Sequence, residues 1–96
     1  MGIKLFLDDM RTCPDGYVLA RNYDECILML TACEVEVLSL DHDLGAARTG
    51  YDVAKWIVEK NRWPKQICFH TSNPVGRRNM QQLLQRYAPP YVAIDR

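Results

Sequence analysis

Short apolar runs alternate along the chain with longer segments whose apolar residues repeat at helical spacing. The runs over residues 3–7, 17–21, 35–40, 66–69 and 91–94 predict five strands, because each is too short for a helix and is followed by a polar residue. The third run ends in acids and a glycine. That pattern is typical of a buried parallel strand whose carboxyl end delivers polar groups to a crevice.

Three segments between these runs carry helix signals at their amino ends. Asn22 with Glu25, and Thr49 with Asp52, each form a capping-box pattern. Asn73 precedes a proline, which is favoured at the first position of a helix. The buried stripe of the third helix is expected to consist of Met80, Leu83, Leu84 and Tyr87.

Strands that alternate with amphipathic helices indicate an α/β domain, here a mostly parallel sheet of about five strands with helices on both faces. Only residues 10–16 separate the first two strands, which is too short for a crossover helix, so the first crossover helix is missing. The short connection leaves open whether the second strand runs antiparallel to the first. The length of 96 residues predicts a single domain over residues 1–96.

Composition narrows the classes of partner. Lys and Arg together equal Asp and Glu at 12 each, so no overall field favours a membrane surface or an extended nucleic-acid surface. No apolar run approaches the roughly 18 residues of a membrane span, and the expected compartment is the cytoplasm. The four cysteines show no metal-binding spacing, which makes a structural zinc site an unfavoured interpretation.

Polar residues follow the first, third and fourth predicted strands. Ligands of parallel sheets bind beyond the carboxyl ends of the strands, so these side chains are expected to meet in one crevice. Both histidines of the chain belong to this set. Its members are Asp8, Asp9, Asp41, His42, Asp43, His70, Thr71 and Ser72.

The acids of this set predict a divalent cation. Carboxylates a few ångströms apart do not all stay ionised unless a cation lies among them or one takes up a proton. Oxygen ligands favour Mg²⁺ or Mn²⁺, with Asp8 and Asp41 as the stronger candidates. Asp9 and Asp43 are further candidate ligands, with turn capping as an equally good interpretation of each.

The start of the third helix predicts an anion site. If this helix begins at Asn73, its first N–H groups and its positive dipole end face the same crevice. Ser72 and Arg77 stand beside that helix end in the sequence.

The polar runs resemble two related families. Asp8, Asp9, Asp41 and Thr71 are similar to the acidic pocket, phosphoacceptor and hydroxyl of response-regulator receiver domains, which implies a flavodoxin-like fold. Longer runs resemble the divergent receiver-like family that is predicted to process cyclic phosphates. These runs are Leu7-Asp8-Asp9-Met10-Arg11, Ser39-Leu40-Asp41-His42-Asp43-Leu44-Gly45, Thr49-Gly50-Tyr51-Asp52 and His70-Thr71-Ser72-Asn73-Pro74-Val75-Gly76-Arg77.

The second resemblance implies a metal-dependent phosphoesterase that acts on a small nucleotide or an RNA end carrying a 2′,3′-cyclic phosphate. Asp41 would help to hold the metal, and His42 and His70 would serve as general base and acid. The expected phosphate-binding residues are Thr71, Ser72, Asn73, Arg77 and Arg11.

Two other functions stay open. One is a non-catalytic module that binds a nucleotide or a protein partner through the same crevice. The other is a receiver in which Asp41 accepts a phosphoryl group. The second is weakened because ordinary receivers carry a lysine after the last strand, where this chain has Ile94-Asp95-Arg96.

Overall fold

The computed structural model describes residues 2–95, so Met1 and Arg96 of the predicted domain lie outside the described residues. The described residues form five strands and three helices in the predicted order. In chain order the elements are β1 (Ile3–Leu7), β2 (Val18–Ala20), α1 (Tyr23–Ala32), β3 (Val35–Leu40), α2 (Gly50–Lys60), β4 (Gln66–Phe69), α3 (Pro74–Tyr87) and β5 (Ala93–Ile94). None of these helices is long and apolar enough to cross a bilayer.

The five strands form one sheet with the order β2-β1-β3-β4-β5. Every neighbouring pair is parallel, including β1 with β2, so the antiparallel alternative for the second strand is excluded. This is the strand order of flavodoxin-like folds. The predicted fold class is confirmed, and the connection between β1 and β2 contains no helix, as predicted.

The predicted placement of helices on both faces of the sheet is wrong. The crossovers from β2 to β3, from β3 to β4 and from β4 to β5 all move in one direction along the sheet, and right-handed crossovers then put their helices on one side. Only the connection from β1 to β2 runs the other way, and it has no helix to place on the second face.

The core lies between the sheet and this single layer of helices. Alternate strand residues point to opposite faces, and the set that includes Leu5, Leu38 and Ile67 is fully buried against the helices. The intervening positions Phe6, Ser39 and Cys68 are in register on β1, β3 and β4 and share the face away from the helices. The two faces of the sheet therefore carry different kinds of residue.

The helix caps follow the predicted pattern with one correction. At α2 the Asp52 carboxylate accepts from the backbone N–H of Thr49 at 2.8 Å, which completes the predicted capping box. At α1 the Asn22 side chain accepts from Glu25 at 2.9 Å. The Glu25 carboxylate, however, accepts from the N–H of Arg21 at 2.8 Å and not from that of Asn22. The predicted α1 capping box is therefore only half formed.

The buried face of α3 is narrower than predicted. Gly76, Met80 and Leu84, spaced by four residues, form the line that meets the core. Leu83 lies on the flank of this line and is half buried, whereas Tyr87 is 51% exposed. The prediction of a buried Tyr87 is wrong because residues 83 and 87 belong to the neighbouring line of the helix, which faces the side of α2 and not the sheet.

Candidate functional site

Three predicted site residues meet where adjacent strands end. Asp8 follows β1, Asp41 follows β3 and His70 follows β4. Each offers one ligand atom, and these atoms all lie within 4.8 Å of one another. The convergence follows from the parallel order β1-β3-β4, which brings three carboxyl ends to one edge of the sheet.

Asp8 is a buried carboxylate that the chain holds from several sides. Its Oδ1 accepts hydrogen bonds from the backbone N–H groups of Met10 at 2.9 Å and Arg11 at 2.8 Å. Its Oδ2 lies 3.0 Å from Nε2 of His70. Burial opposes ionisation of Asp8, but the backbone N–H groups and His70 outweigh it, so the pKa of Asp8 falls below its ordinary value.

His70 is a neutral imidazole with a defined tautomer. Burial lowers the pKa of His70 more than the neighbouring Asp8 and Asp41 carboxylates raise it. An ionised Asp8 only accepts, so Nε2 of His70 carries the ring proton. Nδ1 is then the acceptor, and the hydroxyl of Ser39, 2.7 Å away, donates to it. A hydrogen-bonded chain therefore runs from Ser39 through His70 to Asp8.

Ser39 is a site residue that the sequence analysis missed. It is the one hydroxyl within an otherwise mostly apolar strand, and it alternates with Leu38 and Leu40 of the core. That position already indicates a side chain on the face opposite the core. Phe6 was missed as well: its ring stacks on that of His70, with centroids 4.2 Å apart and planes at 11°.

Two arginines brace the loop that follows β1. The guanidinium of Arg11 donates to the carbonyl of His70, and its Nε lies 3.8 Å from Oδ2 of Asp8. Arg21 donates to the carbonyls of Asp8 at 3.2 Å and Arg11 at 2.9 Å. Arg11 thus lies against the cluster, with its side chain 49% exposed.

His42 faces a different set of partners at the start of α3. Its Nδ1 lies 3.1 Å from Oδ1 of Asp43 and 3.5 Å from the amide nitrogen of Asn73. The side-chain amide of Asn73 donates to Oδ2 of Asp43 at 3.2 Å, and the hydrogen bonds that Asp43 accepts from His42 and Asn73 lower the pKa of Asp43. The ring of His42 packs on Gly76, where an added Cβ would lie 2.4 Å from the ring's Cγ. His42, Asp43 and Asn73 therefore form a second polar cluster beside the first.

The parallel strand order β2-β1-β3-β4-β5 brings the polar strand ends together at one edge of the sheet. A family model, the cyclic-phosphate processing receiver domain, matches residues 3–86. The chain belongs to this family. The predicted resemblance is thereby confirmed. Searches of the curated proteins and of the solved structures found no match.

The carboxylates of this receiver domain fit a divalent cation. Within residues 2–95, the group with converging ligand atoms consists of Asp8, Asp41 and His70, and it includes neither Asp9 nor Asp43. Both nitrogens of His70 are already engaged, so ligation by its ring would require it to release Asp8 or Ser39. Asp8 and Asp41 supply the oxygen ligands that Mg²⁺ and Mn²⁺ prefer.

The predicted phosphate-binding residues of the receiver domain mostly have local structural partners. Thr71 accepts from the N–H of Asn73 at 3.1 Å, and Asn73 caps α3 by accepting from the N–H of Gly76 at 2.9 Å. Arg77 donates to the carbonyl of Phe69 at 3.3 Å. Ser72 is exposed in the same loop. Among the five predicted residues, Arg11 contacts the Asp8 and His70 cluster.

Proposed function

We propose that this domain hydrolyses a 2′,3′-cyclic phosphate on a small nucleotide or an RNA end, with a divalent cation as cofactor. The observation that supports it most directly is the hydrogen-bonded chain from Ser39 through His70 to Asp8, next to the carboxylate of Asp41. The family match supports cyclic-phosphate processing in general.

The reaction needs two proton transfers. A bond forms between the oxygen of water and phosphorus, and the bond from phosphorus to O2′ or O3′ breaks. Water loses one proton in this step, and the leaving oxygen gains one. A neutral His70 has the acceptor capacity that the first transfer requires.

The first proton reaches His70 through Ser39. Nε2 of His70 already carries the proton donated to Asp8, so an incoming proton has to arrive at Nδ1. The hydroxyl of Ser39 already donates to Nδ1 at 2.7 Å. Ser39 therefore passes its own proton to the ring and takes a proton from the attacking water. The ionised Asp8 then stabilises the imidazolium.

The second proton comes from His42 in this proposal, so His42 is the acid and His70 the base, the reverse of the roles expected from the sequence. Its Nδ1 faces the Asp43 carboxylate at 3.1 Å, an arrangement that orients the ring and leaves Nε2 as the atom for the leaving oxygen. Asp43 remains a carboxylate over a wide pH range because its pKa is lowered by His42 and Asn73.

Asp8 and Asp41 would hold the cation, and Arg11 adds a positive charge at the same edge. A bound Mg²⁺ or Mn²⁺ polarises a phosphoryl oxygen and offsets the charge that develops on it. The chain's own residues supply the proton path and the orientation.

Phosphorus NMR of a 2′,3′-cyclic nucleotide with Mg²⁺ or Mn²⁺ tests this function. We expect conversion to a monoester, and a loss of turnover of about 10²–10⁴-fold in His70→Ala and Asp41→Asn. Asp24→Asn, an exposed carboxylate at the start of α1, is the matched control. Line broadening without conversion would favour the non-catalytic binding module. A mass increase of one phosphoryl group after incubation with acetyl phosphate would favour the phosphoacceptor.

A further inference from the structure

We infer that the groove between α2 and α3 binds the nucleoside part of the substrate, an inference that rests on the proposed function. The groove has a volume of about 640 Å³. That lies within the range of about 300–1,000 Å³ typical of small-molecule sites. A groove of this size exceeds what a cyclic phosphate group alone would fill, and it leaves room for a base.

The groove opens beside the candidate active site. His42 lines one end of it, and His42 follows Asp41 directly in the chain. The start of α2 holds this junction in place. The N–H of Gly50 donates to the carbonyl of His42 at 2.9 Å, and a Cβ on Gly50 would lie 1.9 Å from the carbonyl oxygen of Asp41. A ligand whose phosphate lies at Asp41 can therefore extend past His42 into the groove.

The walls of the groove carry the groups that recognise a flat heterocycle. Asn79 and Gln82 lie about one helical turn apart on α3 and present exposed amides, which can donate to and accept from the edge of a base. Tyr51 and Tyr87 contribute aromatic rings from α2 and α3 respectively, and the guanidinium of Arg86 lies 5.4 Å from the ring centroid of Tyr87. Stacking of bases on aromatic rings is the usual mode of recognition of unpaired nucleotides.

The charges of the groove favour a neutral ligand over a second phosphate. Asp52 balances Arg86 among the lining residues, so no excess of positive charge is present. The carboxylate of Asp52 is also committed to the backbone N–H of Thr49 at 2.8 Å. A nucleobase, which is polar at its edge and uncharged, matches this surface.

A comparison of two substrates tests the inference. We expect the ratio of the KM for adenosine 2′,3′-cyclic phosphate to the KM for glycerol 1,2-cyclic phosphate to rise about tenfold in Gln82→Ala and Tyr87→Ala. Gln85→Ala, on the same helix but outside the groove, and Tyr91→Ala, an exposed tyrosine elsewhere, are the matched controls and should keep the wild-type ratio. An unchanged ratio in both groove variants would overturn the inference.

A binding measurement separates this inference from the proposed function. Adenosine and uridine, which contain no phosphate, are titrated into the wild type and followed by amide NMR. Shifts at Asn79 and Gln82 that Tyr87→Ala weakens would support the groove even if no cyclic phosphate is opened, in which case only the enzyme proposal fails. If neither nucleoside caused a shift, the inference that the groove binds the base would be rejected. The proposed hydrolysis would still be tested by the phosphorus NMR experiment.

Discussion

His70 is engaged at both ring nitrogens, by Asp8 at Nε2 and by Ser39 at Nδ1. The ring is also stacked on Phe6. A histidine restrained in this way has one orientation and one tautomer, so it needs little reorganisation before it accepts a proton. The serine is then as important to the proposed chemistry as the histidine.

Ser39→Ala removes the hydroxyl that donates to Nδ1. We expect turnover of a cyclic nucleotide to fall about 10²-fold, in the range found for loss of a proton-transfer group. Nitrogen NMR of the His70 ring should show a changed Nδ1 environment, because its hydrogen-bond donor is lost. Thr12→Ala, an exposed hydroxyl in the loop before β2, is the control. Unaltered turnover in Ser39→Ala would eliminate the relay.

Asp8→Asn tests the stabilising role of the buried carboxylate. Loss of the charge-assisted hydrogen bonds should lower the free energy of unfolding by about 1–3 kcal/mol near neutral pH. The pKa of Asp8 is lowered in the folded state, so its contribution is present above the unfolded pKa of about 4 and is lost as pH falls through the folded value.

Urea unfolding at a series of pH values, with a chelator present, measures this difference. The gap between wild type and Asp8→Asn should be largest near neutral pH and should shrink as the solution becomes acidic. A gap that grows on acidification would contradict the assigned charge state of Asp8.

At the scale of elements, α3 is fixed to the end of β3 by a close contact. Gly76 in the first turn of α3 touches the ring of His42, and a Cβ at this position would lie 2.4 Å from Cγ of the ring. The ring is held by Asp43, which in turn accepts from the side-chain amide of Asn73 at 3.2 Å, so the ring has little freedom to withdraw.

Gly76→Ala should therefore destabilise the domain, by about 1–3 kcal/mol, although alanine is favoured over glycine by about 1 kcal/mol inside a helix. Thermal or urea unfolding measures the change. In the background of His42→Ala the ring is absent, and the same substitution should become neutral or stabilising. If Gly76→Ala changed the free energy of unfolding equally in both backgrounds, the contact with the His42 ring would not be the cause of the destabilisation.

The elements themselves were predictable because their signals are local. Apolar periodicity and the caps at Thr49 and Asn73 depend on a few neighbouring residues, and the structure confirms them. The prediction of helices on both faces was wrong because the face of each helix depends on the direction in which successive crossovers move along the sheet. No local sequence pattern indicates that direction. The burial of Tyr87 was predicted wrongly for a related reason. Helical spacing shows which residues share one side of a helix, but it does not show which of them pack against the sheet.

The candidate site was predictable in part. The rule that parallel strands deliver their ends to one edge identified Asp8, Asp41 and His70 as neighbours. The same rule also placed His42 in this group, because His42 follows the same strand as Asp41. In the structure the His42 ring lies instead near Asn73, the N-cap of α3. Ser39 lies inside a strand, where the rule about strand ends does not apply.

At the scale of the whole molecule, residues 2–95 form a parallel sheet with its three helices on one face. Parallel sheets are usually covered by helices on both faces. Here the second face carries no helix in the described part of the chain, and Phe6 on that face is buried by the rings of Tyr17 and His70 instead. Cys68 is half buried there, whereas Cys26 belongs to the buried face of α1, on the side of the sheet that the helices cover. The two thiols therefore report on the two sides of the sheet.

Alkylation of the native protein should distinguish these cysteines. Burial, and then the neighbouring Asp95, raise the pKa of Cys68 to about 11. Burial raises the pKa of Cys26 to about 12. With iodoacetamide we expect slow labelling of Cys68 that accelerates as pH approaches 11, and labelling of Cys26 only after unfolding. Peptide mass mapping measures both. Protection of Cys68 equal to that of Cys26 would mean that another surface covers this face.

Alternate residues of β1, β3 and β4 face opposite sides of the sheet, so the same strands contribute both to the core and to the candidate site. Leu38 and its in-register neighbours Leu5 and Ile67 belong to the core, whereas Ser39 belongs to the hydrogen-bonded chain that crosses the opposite face. The core-facing positions that form the hydrophobic cluster are therefore separate from the positions that carry the hydrogen-bonded chain. Evolution can then alter Ser39 and its partners without replacing the leucines and isoleucine of the core, at a cost in stability limited to the hydrogen bonds that are lost.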